Sequence, residues 1–166
     1  PVIAVCRAVP FRGHWQHLAA EHFAAMSDVY RLLGQIEDRH DLMHTADNRG
    51  KDLESSARRL ARMLGCDYEP EDLSEIVKVA EFIARTQRNL VDHSVSLTVS
   101  REPTRLHGQL LVGAGVGRFL VQQLARSTGA SYQSFDALIG ADSELAEHVS
   151  IAAPAVAVAK LAWMTN

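Results

Sequence analysis

The segment Leu110–Thr128, LLVGAGVGRFLVQQLARST, restricts the possible folds more than any other part of this chain. A short apolar run, Leu110, Leu111 and Val112, meets Gly113, Ala114, Gly115 and Gly117. A helical repeat follows, with Val116, Phe119, Leu120, Gln123 and Leu124 on one face. This order predicts a strand, a tight glycine turn and a helix start. Glycine lets backbone approach a ligand where a side chain would collide, and a helix start offers unpaired N–H groups. The turn is therefore where a nucleotide is expected, although a strand-to-helix crossover also uses glycine merely to turn.

With 166 residues the chain is long enough for one domain with a real core. Hydrophobic content of 47% and charged content of 22% are those of a soluble globular protein. A net charge of −3 without a basic stripe argues against a nucleic-acid partner. Cys6 and Cys66, far apart in sequence, fit a reducing cytoplasm better than a disulfide scaffold. No apolar run approaches the roughly 20 residues of a membrane helix, and no signal peptide is visible. Pro1 opens directly into the apolar run Val2–Val5, which reads as part of something longer.

In chain order, Val2 to Val9 predicts a buried strand, ended by Pro10 and Gly13. A short helix is expected over Leu18 to Met26, and a second strand over Asp28 to Leu33, stopped by Gly34. Glu37 to Lys51 is polar and loop-like. Leu53, Ala57, Leu60, Ala61 and Leu64 then fall at helical spacing, with Gly65 as the stop. Pro70 marks the start of a long helix reaching about Ser100, its apolar face running from Leu73 through Ile76, Ala80 and Ile83 to Val91. Glu102 to His107 reads as a linker. A short strand over Ser131 to Phe135, a helix over Glu144 to Ser150 and a final helix after Pro154 complete the chain.

Eight histidines invite a metal hypothesis, with His14 and His17 three apart and His40 and His44 four apart. Spacing fixes no third ligand, so they are expected to be exposed loop histidines. Thr45, Ala46 and Asp47 follow His44 as a compact polar cluster. An aspartate beside a hydroxyl suits a magnesium-bound water or a substrate amine; Asp47 or Asp52 equally suits capping of the next helix. Arg49 and Lys51 suit phosphate oxygens, although such residues are more often solvated. Asp28 either reaches a ligand or ends a turn, and Cys6 is expected to be inert packing. The dinucleotide fingerprint wants glycine at the sixth place of the turn, where Arg118 stands, although Asp136 lies about where a ribose-binding acid would be.

DVYRLLG (28–34), TADNRGK (45–51), ARRLARMLGCD (57–67), GAGVGRFLVQQLA (113–125) and APAVAVAKL (153–161) together resemble the C-terminal half of hydantoinase/oxoprolinase-like proteins. More narrowly, they resemble tetrahydromethanopterin-linked one-carbon-pathway proteins, a group that includes a synthase of methanofuran biosynthesis. The resemblance implies an α/β fold: a ribonuclease-H-like lobe of the sugar-kinase, heat-shock and actin type, with added helices, forming a single domain. Gly113, Ala114, Gly115 and Gly117 match the turn that lies against adenosine, and Thr45 and Asp47 match a TAD(G) segment in which Asn48 replaces glycine. It further implies a phosphorylated small-molecule ligand, magnesium and possible ATP. The implied reaction condenses a furan diphosphate with a tyramine derivative. The family's first lobe, with its phosphate loop, is missing here and is expected from the rest of the chain or from a partner. Two alternatives remain: a non-catalytic module assembling as a homo-oligomer through faces such as Leu73–Val91, and part of a dinucleotide-binding oxidoreductase.

Overall fold

The computed structural model describes residues 1–101 and 108–164. It divides into two compact units, Pro1–Ser94 and Val95–Asn166. The predicted linker over Glu102 to His107 lies outside the described residues.

The first unit opens with a single 3-10 turn, Val2–Ala4, and not with a long strand. Val2 N–H donates to the Ala24 carbonyl, while Val5 and Cys6 fold back onto Val2. Only Ala8–Phe11 (β1) is extended, and it pairs antiparallel with His14–His17 (β2). Arg12 and Gly13 make the turn with φ of 48° and 84°. Both central residues positive is the turn whose twist suits a two-residue hairpin. Pro10 sits inside β1 opposite Trp15 and does not end it. Cys6 therefore precedes the strand, and burial pushes its thiol pKa up.

Two further expectations are corrected. The helix expected over Leu18 to Met26 is absent up to Ala25, because Ala19 N–H donates to the Met63 carbonyl and Ala24 O accepts from Val2, which draws the segment out between neighbours. Asp28 to Leu33 is not a strand: Met26–Leu32 is helix α1. Asp28 Oδ2 accepts from the Ala25 backbone N–H at 2.9 Å, a capping contact that starts the helix.

Leu53–Leu64 (α2) begins at Asp52, whose side chain accepts the Ser55 N–H, and ends at Gly65 with φ of 74°. Leu73–Val99 (α3) follows the 3-10 turn Pro70–Asp72. One core joins these elements: Val2, Val9, Val29, Leu60, Met63, Ile76, Val79 and Ile83 are all buried. The expected assembly face on α3 is thus partly spent inside its own unit; Leu73 and Leu90 remain exposed.

In the second unit Leu110–Gly113 (β3) and Ser131–Ser134 (β4) pair in parallel, joined by Arg118–Thr128 (α4). Phe135 belongs to the short helix Phe135–Ile139 (α5), not to β4. Ala146–Ile151 (α6) and Ala153–Met164 (α7) complete the described chain. Helices and two small sheets make a mixed α/β architecture. Among the described residues no helix is long and apolar enough to cross a membrane.

Candidate functional sites in the two units

The glycine segment forms the expected strand, turn and helix start. Each of its residues has a different task. Gly113 ends β3 under the Tyr132 ring; a Cβ there would lie 2.5 Å from the phenolic oxygen. Gly115 has φ of 76°, and a Cβ would meet open space. Its constraint is conformational, since L side chains rarely adopt that backbone. Gly117 is the N-cap of α4, and Ala114 lies between the strand end at Gly113 and the bend at Gly115.

Ser150 ties this turn to the end of β4. Its carbonyl accepts the Gly115 N–H at 2.7 Å. Its hydroxyl, on a side chain that is almost wholly buried, donates to Asp136 Oδ1 at 2.5 Å. The Asp136 carboxyl is held below the usual range, first by Ser150, against the effect of burial, and then by Ser134 and the nearby Arg118 charge. A cavity of about 420 Å³ opens there, lined by Arg118, Phe119, Gln122, Tyr132, Ser134 and Asp136. It lies where the parallel strands end and α4 begins, the usual ligand position in α/β sheets. Asp136, noted in the sequence only as a ribose-type acid, lines this cavity.

Thr45 and Asp47 lie in the first unit, in the loop before α2. Thr45 Oγ1 donates to the Arg49 carbonyl at 2.8 Å, closing the loop on itself. Asn48 takes φ of 55°, the left-handed conformation that its side chain tolerates better than most. Asp47 does not cap α2; Asp52 does. Asp47 Oδ1 instead accepts from the Arg49 N–H and from Arg59 Nη1, at 3.2 and 3.1 Å. Burial opposes ionisation of Asp47, yet these donors hold its pKa below the usual carboxylate value. Its Oδ2 is buried without a hydrogen-bond partner among the described residues.

Beneath the loop lies a buried ionic network. Asp28 Oδ1 accepts from Arg59 Nη2 and Nε at 2.6 and 2.9 Å, and from Ser56 Oγ at 3.2 Å. Arg31, 4% exposed, donates to Asp38 at 2.7 Å and Asp41 at 3.0 Å. Lys51 donates to the Asp41 carbonyl. Asp28 therefore neither ends a turn nor reaches open space. It anchors Arg59, which holds Asp47 and the Gly50 carbonyl, and Arg31, which holds Asp38 and Asp41. Arg31, Ser56 and Arg59 could not be picked out locally, because their partners lie up to 31 residues away.

His14 and His17 are on β2 and His40 is in a 3-10 turn. Among the described residues no three His, Cys, Asp or Glu side chains converge to hold a metal.

A hydantoinase/oxoprolinase family profile matches residues 16–164. A curated relative, the (4-{4-[2-(gamma-L-glutamylamino)ethyl]phenoxymethyl}furan-2-yl)methanamine synthase of Methanocaldococcus jannaschii, is 27% identical over 161 residues. That alignment takes in 97% of this chain and 45% of the relative, so the chain spans less than half of that protein's length.

Proposed function

Because the chain belongs to the hydantoinase/oxoprolinase family, we propose that it serves a phosphate- or nucleotide-handling enzyme of methanofuran biosynthesis, as a lobe of the ribonuclease-H-like, actin and sugar-kinase type. The observation that carries this proposal is the cavity of about 420 Å³ at the carboxyl ends of β3 and β4, beside the open glycine turn. Gly113, Ala114, Gly115 and Gly117 do not themselves line the cavity; they are the proposed binding turn adjoining it through Arg118. Arg118 offers a charge for phosphate oxygens, and Asp136 offers an acceptor for a sugar hydroxyl.

The relative's name contains a phenoxymethyl ether on a furan. Condensing a furanylmethyl diphosphate with the phenol of a tyramine derivative makes such an ether. The phenolic oxygen bonds to the methylene carbon, the carbon–oxygen bond to diphosphate breaks, pyrophosphate leaves, and a base takes the phenolic proton. Asp47 is the proposed acidic group of this chemistry, and Thr45 shapes its loop. Magnesium usually uses one or two carboxylates and completes its shell with phosphate oxygens and water. Asp47 Oδ2, which accepts no hydrogen bond among the described residues and has Arg62 at 3.9 Å, is the atom that would hold such an ion, and when bound the ion would neutralise charge on the departing diphosphate.

Titration calorimetry with ATP, ADP, pyrophosphate and NAD, each with and without magnesium, tests the proposal. Binding of adenine nucleotide or diphosphate is expected. Silence from all four points to a non-catalytic module. NAD alone points to the dinucleotide alternative, for which the position of Asp136 after β4 is the supporting observation.

A further inference from the structure

A second cavity, of about 380 Å³, lies wholly within the first unit, on the outer side of α2. Three arginines line it: Arg49 from the preceding loop, and Arg58 and Arg62 from the helix itself. Residues four apart lie on one helical face, so α2 stacks two like charges there and the loop adds a third. Like charges gathered this way repel unless something offsets them. What the protein supplies is partial. Glu54 engages Arg58 at 2.6 Å, in a pair exposed to solvent. Arg62 comes no nearer than 3.9 Å to Asp47 Oδ2, beyond hydrogen-bond reach. Asp67 and Glu69 also line the cavity, but among the described residues neither pairs with these arginines. Burial pushes the Cys66 thiol pKa up, so this neighbour stays neutral and adds no opposing charge.

We propose that this cavity is an oxyanion site for a phosphate or diphosphate group, gripped by Arg49, Arg58 and Arg62. The guanidinium fork matches phosphate oxygens two at a time, which an ammonium cannot do. The site belongs to the first unit and the glycine turn to the second, and its test does not depend on what that turn binds. Arg62, 3.9 Å from Asp47 Oδ2, connects the cavity to the Thr45–Asp47 loop, although Asp47 itself does not line it.

The test uses the full chain and two probes, inorganic phosphate and pyrophosphate, followed by calorimetry and phosphorus NMR. Succinate serves as a dianion without phosphorus. Saturable pyrophosphate binding is expected, weakened by about ten-fold or more in the double variant Arg49→Gln/Arg62→Gln. Gly115→Val should leave the arginine-dependent part of that binding intact. Arg49→Lys/Arg62→Lys keeps the charges but not the forks; it should fold normally and bind with intermediate strength, which covers the case in which the glutamine pair fails to fold. The proposal is overturned by absent binding to the wild-type chain, by unchanged binding in the folded arginine variants, or by succinate binding as tightly as phosphate. Loss in Gly115→Val with the arginine variants unaffected would place the anion at the glycine turn, sinking this site while sparing the function proposed for that turn.

Discussion

Arg59 and Asp28 form a buried ion pair, with Arg59 Nη2 and Nε 2.6 and 2.9 Å from the same Asp28 oxygen on side chains 0% and 3% exposed. Arg59 also donates to Asp47 at 3.1 Å and to the Gly50 carbonyl at 3.0 Å. One guanidinium thus links α1, α2 and the Thr45–Asp47 loop. Deleting one member of such a pair strands the other in a low-dielectric interior. Arg59→Ala is expected to cost about 3–5 kcal/mol, measured by urea denaturation. Arg59→Lys should recover little, since one ammonium cannot serve Asp28, Asp47 and Gly50 in the same plane.

What was legible in the sequence, and what was not, divides along this network. Helices α2 and α3 were readable because their apolar residues recur at helical spacing and their ends carry local signals: Asp52 before α2, Gly65 after it and Pro70 before α3. The β3–turn–α4 unit was readable for the same reason. Helix α1 is hidden from a local reading because VYRLL looks like a buried strand when taken alone. Its identity rests on the Asp28 cap and on Arg59 and Ser56, which come from another helix. Leu18 to Met26 has helix-forming residues, yet bonds to Met63 and Val2 outweigh propensity there. The same distance hid Arg59 as the support of Asp47, and Ser150 as the link between the glycine turn and Asp136.

Asp47 and Asp41 should govern acid stability. Burial works against both carboxylates, but hydrogen bonds from Arg49 and Arg59 to Asp47, and from Ser27 and Arg31 to Asp41, lower both pKa values. A folded-state value below the unfolded one, about 3.9 for aspartate, means that the native state binds fewer protons. The stabilisation is therefore present above that value and lost as pH falls through the folded value. Thermal melts should be nearly flat from neutral pH down to about 4.5 and then drop. Asp47→Asn should start lower and show a shallower acid limb; an identical limb would remove Asp47 from this account.

Gly113→Ala tests the close approach at the end of β3. The new methyl would meet the Tyr132 hydroxyl at 2.5 Å and a ring carbon at 2.6 Å, so the ring must move. Tyr132 lines the 420 Å³ cavity, and the ring should be displaced toward it. A loss of about 1–3 kcal/mol is expected from overpacking, together with weaker ligand binding. Gly113→Ala/Tyr132→Ala should recover part of that stability, as read from paired denaturation curves.

Gly115→Val probes a different constraint, because space is free there and only the backbone is special. A residue with a branched Cβ at φ of 76° is strained by about 1–2 kcal/mol. The fold should stay cooperative, while the branched side chain blocks backbone approach and abolishes binding at the turn. A variant that binds adenine nucleotide normally would leave this glycine with a purely structural task.

Ser150→Ala separates the two parts of the second unit's site. The serine carbonyl still holds the Gly115 N–H after the substitution, so the glycine turn should keep its shape. The hydroxyl, however, is the main influence lowering the Asp136 pKa, and its removal strips a half-buried carboxylate of a charge-assisted hydrogen bond. A cost of about 0.5–1.5 kcal/mol is expected from the lost hydrogen bond, since Ser134 and the Arg118 charge still face the carboxylate. The Asp136 pKa should rise, so any binding that needs the ionised carboxylate should fail at a higher pH than in the wild-type chain. Nucleotide affinity measured from pH 7 downward reads that shift directly. If the acid limb does not move while stability falls, Asp136 supports the fold and does not contact the ligand.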